Sequence, residues 1–215
     1  MGTKTKLKVI HENKDKLGLV FTPRDYFKDY KYPFFYDNGA FSAYVNEQEW
    51  NSESFLNGLK EVMFYENKPD FCVLPDIVAG GKKSLKRSIT WLDILQYRYD
   101  TYYDWYLAVQ DGILPSDIID IIKYSSYISG IFVGGTIEWK LKTLPKWVEL
   151  SRNWERKIHV GRIGTLKRIL YCERLGVDSV DSSNFIKNKI HWDQLMDWLN
   201  PNRKQIILSN FILNQ

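Results

Sequence analysis

Six short segments carry acids, amides and glycines of the kind that could grip a polar ring and act on it. They are Asp37-Asn38-Gly39, Pro75-Asp76, Gln110-Asp111-Gly112, Gly134-Gly135, Gly161-Arg162 and Asp181. Each ends or follows a short apolar run. Carboxylates and amide oxygens accept from the N–H edge of a guanine-type base. A glutamine amide and a backbone N–H at a Gly-Gly step can donate to its carbonyl. A further aspartate is then left to act as nucleophile on a sugar carbon or as a general base. A strand-end aspartate also has an ordinary use as the N-cap of the next helix. Three carboxylates, a glutamine and a glycine pair on one rim are harder to explain that way.

The elements that must position these residues are legible from hydrophobic period. Buried strands are expected at Gly18–Pro23, Phe34–Phe41, Phe71–Asp76, Trp105–Gln110, Gly130–Gly135, Lys157–Gly161 and Ser179–Ser182, with a last one at Gln205–Leu208. Helices are expected between them. Ser54–Tyr65 places Phe55, Leu59, Val62 and Met63 on one face. Ser84–Arg98 has Ser84 as a candidate N-cap and Leu85, Ile89, Leu92 and Leu95 inward. Pro115–Tyr124 carries proline in its first turn. Glu138–Leu150 is expected to be interrupted or kinked near Pro145. Thr165–Leu175 is closed by Gly176, and His191–Leu199 is stopped by Pro201. Strands apolar on both faces, alternating with helices, imply a parallel sheet. Seven or eight such units in one α/β domain spanning 1–215 favour a closed (β/α)8 TIM-like barrel over an open doubly wound sheet. At about 27 residues per unit it would be a lean barrel. No GxGxxG or GxxxxGK[ST] follows the first strand, which weakens a nucleotide-binding version.

The 215 residues are 44% hydrophobic and 15% aromatic, enough for a real core and unlike a disordered chain. Two cysteines, Cys72 and Cys172, make neither a disulfide scaffold nor a cysteine-based zinc site. His11, His159 and His191 lack metal-ligand spacing, and His159, on a strand, reads as a core or rim residue. No apolar run is long enough for a membrane helix, and no signal peptide is visible at the start. The expectation is a soluble, cytoplasmic chain with no metal and no membrane contact. Glu138 to Arg174 holds ten Lys/Arg against four Asp/Glu, within a chain of net charge +4. Such a segment is either a site for a polyanion or a solvated helix face. Arg162 could contact a phosphate or be an ordinary surface arginine. The ring-rich run Tyr97–Tyr106 could stack on unpaired bases, although packing between a helix and strand four is the plainer use.

With these residues in hand, the chain resembles the tRNA-guanine transglycosylase superfamily. It is most similar to the small DNA-modifying branch, the DpdA-type 7-deazaguanine transglycosylases of phages and bacteria. The family's DSGGFQ element looks like Asp37-Asn38-Gly39-Ala40-Phe41-Ser42. Its second base-reading aspartate looks like Asp76, its glutamine before glycine like Gln110, and its Gly-Gly step like Gly134-Gly135. Its MGVG and GIDMFD elements look like His159-Val160-Gly161-Arg162 and Gly176-Val177-Asp178-Ser179-Val180-Asp181. These stand in the family's order across residues 18–185.

The resemblance implies a base exchange in DNA through a covalent glycosyl-aspartate, with a free 7-deazaguanine base replacing guanine. Asp181 would be the nucleophile and Asp37 the acid/base. Asp76, Gln110, Gly134 and Gly135 would read the base, and Phe41, Gly161 and Arg162 would complete the substrate site. Asp178 matches a structural position. No cofactor is implied. The target guanine would be flipped out or single-stranded. The resemblance also brings in a possible homodimer or accessory subunit, and the host cytoplasm as the location if the gene is a phage's. The tRNA-acting members' Cys/Cys/Cys/His zinc site has no counterpart here, which makes tRNA the second choice of substrate. Ala40 and Ser42 also depart from the motif. A non-enzymatic DNA-binding module with an inactive barrel is the alternative of a different kind.

Overall fold

The computed structural model describes residues 3–24, 32–99 and 102–200. Seven parallel strands form one sheet in strict sequence order. They are β1 (Leu19–Phe21), β2 (Phe34–Tyr36), β3 (Cys72–Val73), β4 (Trp105–Val109), β5 (Ile128–Val133), β6 (Lys157–Val160) and β7 (Ser179–Val180). The helices are α1 (Thr3–Glu12), α2 (Ala40–Val45), α3 (Ser52–Val62), α4 (Lys82–Tyr99), α5 (Pro115–Tyr124), α6 (Ile137–Asn153), α7 (Leu166–Leu175), α8 (Asn184–Lys187) and α9 (Lys189–Leu199). The α/β class and the parallel sheet are as expected. Among the described residues β7 does not pair with β1, so the sheet is an open, curled part of a barrel. The expected strand at Gln205–Leu208 and the stop at Pro201 lie outside the described residues. No described helix is long and apolar enough to cross a membrane.

Two cores fix the curl. The larger lies between the sheet and its helices and includes Phe34, Tyr36, Leu107, Val109, Ile131, Val133, Trp147 and Val160. The smaller fills the concave side with Phe35, Phe71, Val73, Tyr106, Ala108 and Phe132. Side chains alternate faces along each strand. Phe71 stacks on Phe35 at 4.6 Å and on Tyr106 at 3.9 Å, both pairs within 10° of parallel. His159 of β6 lies 4.8 Å from Phe35 of β2. Strands four places apart in the sheet therefore touch across its hollow.

Several local expectations need correcting. Ser84 is not an N-cap: α4 starts two residues earlier, and the buried Ser84 hydroxyl accepts from Ile77 N at 3.0 Å. The second strand stops at Tyr36, and Phe41 belongs to helix α2 after a turn at Gly39, whose φ is +77°. α6 is one helix through Pro145. Proline cannot bond the carbonyl four residues back, and that carbonyl, on Leu141, accepts instead from the Tyr171 hydroxyl at 3.3 Å. In the ring-rich run, Tyr99, Tyr103, Trp105 and Tyr106 are buried, so packing is their use.

Gly130, on the concave face of β5, lies against the Tyr106 ring. A Cβ there would sit 2.5 Å from the ring, which is itself held by its stack on Phe71. Gly130→Ala must displace that stack and is expected to cost about 1–3 kcal/mol, read as a fall in the urea midpoint at unchanged slope.

Candidate active site

The period-two alternation that buries the aromatic floor also aims the polar residues above it. Phe35 leads to Asp37, Ala108 to Gln110, Phe132 to Gly134, His159 to Gly161 and Ser179 to Asp181. All of them rise at the strands' C-terminal ends, where the loops of such a sheet build sites.

Asp37 follows β2 directly. One carboxylate oxygen accepts from Gly39 N at 2.7 Å, a bond that the left-handed glycine makes possible. Burial nevertheless pushes its pKa up to about 7. The Gly39 bond and Arg162 oppose the rise, and the charges of Asp181 and Asp76 add to it. Asp76 is raised as well, chiefly by burial and against the pull of Asn38, Arg87 and Arg162. Its carboxylate accepts from Asn38 Nδ2 at 3.0 Å and from Gln110 Nε2 at 3.1 Å.

Asp181 follows β7, and its Oδ1 accepts from His159 Nε2 and from Arg162 N, each at 3.1 Å. Arg162 has φ +58°, donates from Nη2 to Gly135 O at 3.1 Å, and sets its guanidinium 3.8 Å from the Phe41 ring centre. Gly161 lets this happen. A Cβ on it would meet Phe132 at 2.7 Å and Asp181 Oδ1 at 3.3 Å. Gly135, at φ +77°, leaves no room for a Cβ beside Asp111. Gly134 N is bound to Val109 O at 2.8 Å, whereas Gly135 N has no partner among the described residues. Asp111 accepts from Thr136 N and Oγ1, both at 2.7 Å, and so anchors the start of α6.

Asp37, Asp76, Gln110, Gly135, Gly161, Arg162, Phe41 and Asp181 thus surround one mouth. Gln110 is placed differently from a free base-reading amide. Its Nε2 faces Asp76, Ile77 O at 2.8 Å and Ser84 Oγ at 2.7 Å, so it braces Asp76. Asn38 does the same from the other side, with a second bond to Leu74 O at 2.7 Å. A cavity of about 310 Å³ flanks the Asn38-Gly39 turn, lined by Pro23, Arg24, Ser42, Trp50 and Asn51 among others.

Three contributors were given no site role from sequence, His159 being read there as a core or rim residue. Asn38 sits inside the matched motif and is buried. His159, at 1% exposure, lies in phase with the concave face. Lys140 is also 1% exposed and donates to Gly161 O. It stands four residues before Leu144 and seven before Trp147, on the buried stripe of α6. A lysine in that phase is the signal that was available. Its burial lowers its pKa to about 8, helped by Arg162 and opposed by Asp181.

The basic segment is divided in space. Arg152 and Lys157 flank Asp178 at 3.5 and 3.6 Å, at the opposite end of β6. Asp178 also accepts from Ile158 N at 2.8 Å. Arg156 donates to Ile122 O and Ser125 O. Only part of the segment, Arg162 foremost, faces the mouth. Among the described residues no group of three or more His, Cys, Asp or Glu could hold a metal ion. No family model matches the chain, and no curated protein is significantly similar to it.

Two pH effects on stability follow. A carboxyl raised from 3.8 to about 7 binds more protons in the folded state than in the unfolded one between those pH values, so stability falls as pH rises through that window. Asp37→Asn is expected to gain about 1–3 kcal/mol on wild type at pH 8, and the gain should vanish near pH 4. Lys140 has the opposite sense: the unfolded chain binds more protons between about pH 8 and 10.5, so wild type gains stability there. Lys140→Met should lack that gain, of up to about 3 kcal/mol, in urea titrations at pH 7.5 and 10.

Proposed function

We propose that this chain is a guanine transglycosylase of the DpdA-like kind, which replaces guanine in DNA with a 7-deazaguanine base. The observation that carries the reading is the division of labour among the mouth's carboxylates. Asp37 is held near neutral pKa beside Asp181, whose second oxygen, Oδ2, has no partner among the described residues. A carboxyl that keeps its proton near neutral pH beside a carboxylate with an open oxygen can serve as acid next to a nucleophile.

Asp181 Oδ2 attacks C1′ of the deoxyguanosine as the C1′–N9 bond breaks. The electron pair of that bond goes to N9, which takes the Asp37 proton, and guanine leaves. The intermediate is a glycosyl ester on Asp181, as in retaining glycoside chemistry. The incoming 7-deazaguanine gives its N9 proton back to Asp37, and N9 attacks C1′ as the ester bond breaks. Asp76, steadied by Asn38 and Gln110, accepts from the base's N1–H and exocyclic amine. The free Gly135 N–H donates to O6. Phe41 offers a stacking face, and Arg162 meets a flanking phosphate once displaced from it. In this reading the curled sheet is part of a TIM-like (β/α)8 barrel, and the protein works in the cytoplasm, alone, as a homodimer or with an accessory subunit.

Labelled guanine should exchange into DNA with wild type, and Asp181→Ala should abolish both exchange and the trapped protein–DNA ester while DNA binding persists. Because Asp37 must carry a proton to release guanine, single-turnover release should decline as pH rises through about 7. Exchange into tRNA instead would reassign the substrate. DNA binding with no exchange would leave a binding module.

A further inference from the structure

Among the described residues His159 is the one imidazole packed into the aromatic floor. Phe132 stacks on it at 5.0 Å and 17°, and Phe35 and Phe71 approach at 4.8 and 5.2 Å. Three rings thus hold the imidazole in place, and its two nitrogens point along the sheet. Nδ1 lies 2.8 Å from Ser179 Oγ, and Nε2 lies 3.1 Å from Asp181 Oδ1. A carboxylate only accepts, so the Nε2 edge carries the hydrogen and the Ser179 hydroxyl can donate to Nδ1. The cross-strand register that pairs His159 with Ser179 sets this geometry.

We infer that His159 is a positioning residue for Asp181, an inference that rests on the transglycosylase reading only for its catalytic consequence. His159 Nε2 and Arg162 N fasten the same carboxylate oxygen. The carboxylate can then turn only about a fixed Oδ1, and Oδ2 stays presented to the mouth. Without the imidazole donor, Asp181 keeps one tether, from a backbone N–H in a left-handed loop residue, and its free oxygen samples other directions. The ring is 1% exposed and stacked on Phe132, so it acts through Asp181 and not on substrate.

The test compares His159→Phe, which fills the space without a donor, with His159→Gln, whose amide nitrogen reaches the Nε2 position. Crystal structures of both variants and wild type read the Asp181 carboxylate. Displacement by about 1 Å or more is expected in H159F and the wild-type position in H159Q. Single-turnover guanine release should fall about 10²-fold in H159F with KM for DNA within about threefold, and H159Q should recover to within about tenfold of wild type. If H159F does not fold, H159N serves: it keeps an amide toward Ser179 and is too short to reach Asp181. An unmoved Asp181, or wild-type release in the donor-free variant, overturns the inference. Wild type that exchanges no guanine overturns the transglycosylase reading instead, and the carboxylate position in the variants still decides the role of His159.

Discussion

A curled parallel sheet must fill its hollow, and here the filling is a layer of rings. Phe35, Phe71, Tyr106 and Phe132 close the space between β2 and β6. Large flat side chains bury the most area for the fewest residues, which suits strands of two to six residues. The layer also sets a height. Because side chains return to the same face every second residue, whatever follows the rings by two positions stands directly above them. Asp37, Gln110, Gly161 and Asp181 therefore owe their convergence to the apolar layer below. Gly130 and Gly161 belong to the same constraint, since each is bare where a neighbouring ring needs the room.

A polar layer placed on such a floor is poorly solvated, and its charges are correspondingly expensive. The mouth offsets this in a graded way. Asp76 has donors from Asn38 and Gln110, and Asp181 has donors from His159 and Arg162 N. Among the described residues Asp37 has one donor, the Gly39 N–H; buried and facing two other acids, it holds its proton to near neutrality against the pull of Arg162. Lys140 is the cationic counterpart, buried behind Gly161 with a lowered pKa. The raised Asp37 and Asp76 and the lowered Lys140 each cost stability at neutral pH.

Much of this was legible in the sequence because strand ends announce themselves. FVGG and VLPD carry an apolar run and then its terminator, and the expected strands overlap all seven observed ones. Helix α2 was not legible, since Phe34–Phe41 is apolar on both sides of Asp37-Asn38-Gly39. Only the left-handed Gly39 turns the chain there. Ser84 looked like a cap by type, but Gly80-Gly81 lets the helix begin sooner, and its hydroxyl serves Ile77 and Gln110 instead. Pro145 looked like a break, and no local rule could reveal that Tyr171 from α7 would satisfy the orphaned carbonyl. The charge of Glu138–Arg174 read as one patch because sequence distance hides which end of a strand a residue occupies. Gln110 was read by type as facing a ligand, whereas its nitrogen is turned to Asp76.

Arg162 shows how tightly the loops above this floor depend on one another. A non-glycine residue in the left-handed region costs about 1–2 kcal/mol. It persists because its backbone N–H serves Asp181 after β7, its guanidinium serves Gly135 after β5, and the same plane lies on Phe41 after β2. Four strand ends, its own β6 included, are tied through one residue. That plane occupies a face of Phe41 and the carbonyl side of the Gly-Gly step. A flat ligand seated there must displace the guanidinium and replace its stacking and hydrogen bond with its own. Such an exchange favours ligands that offer both an aromatic face and an N–H edge, because one lacking either leaves Phe41 or Gly135 O without the partner it had. The mouth is thus selective through what it must give up as well as through what it can bind.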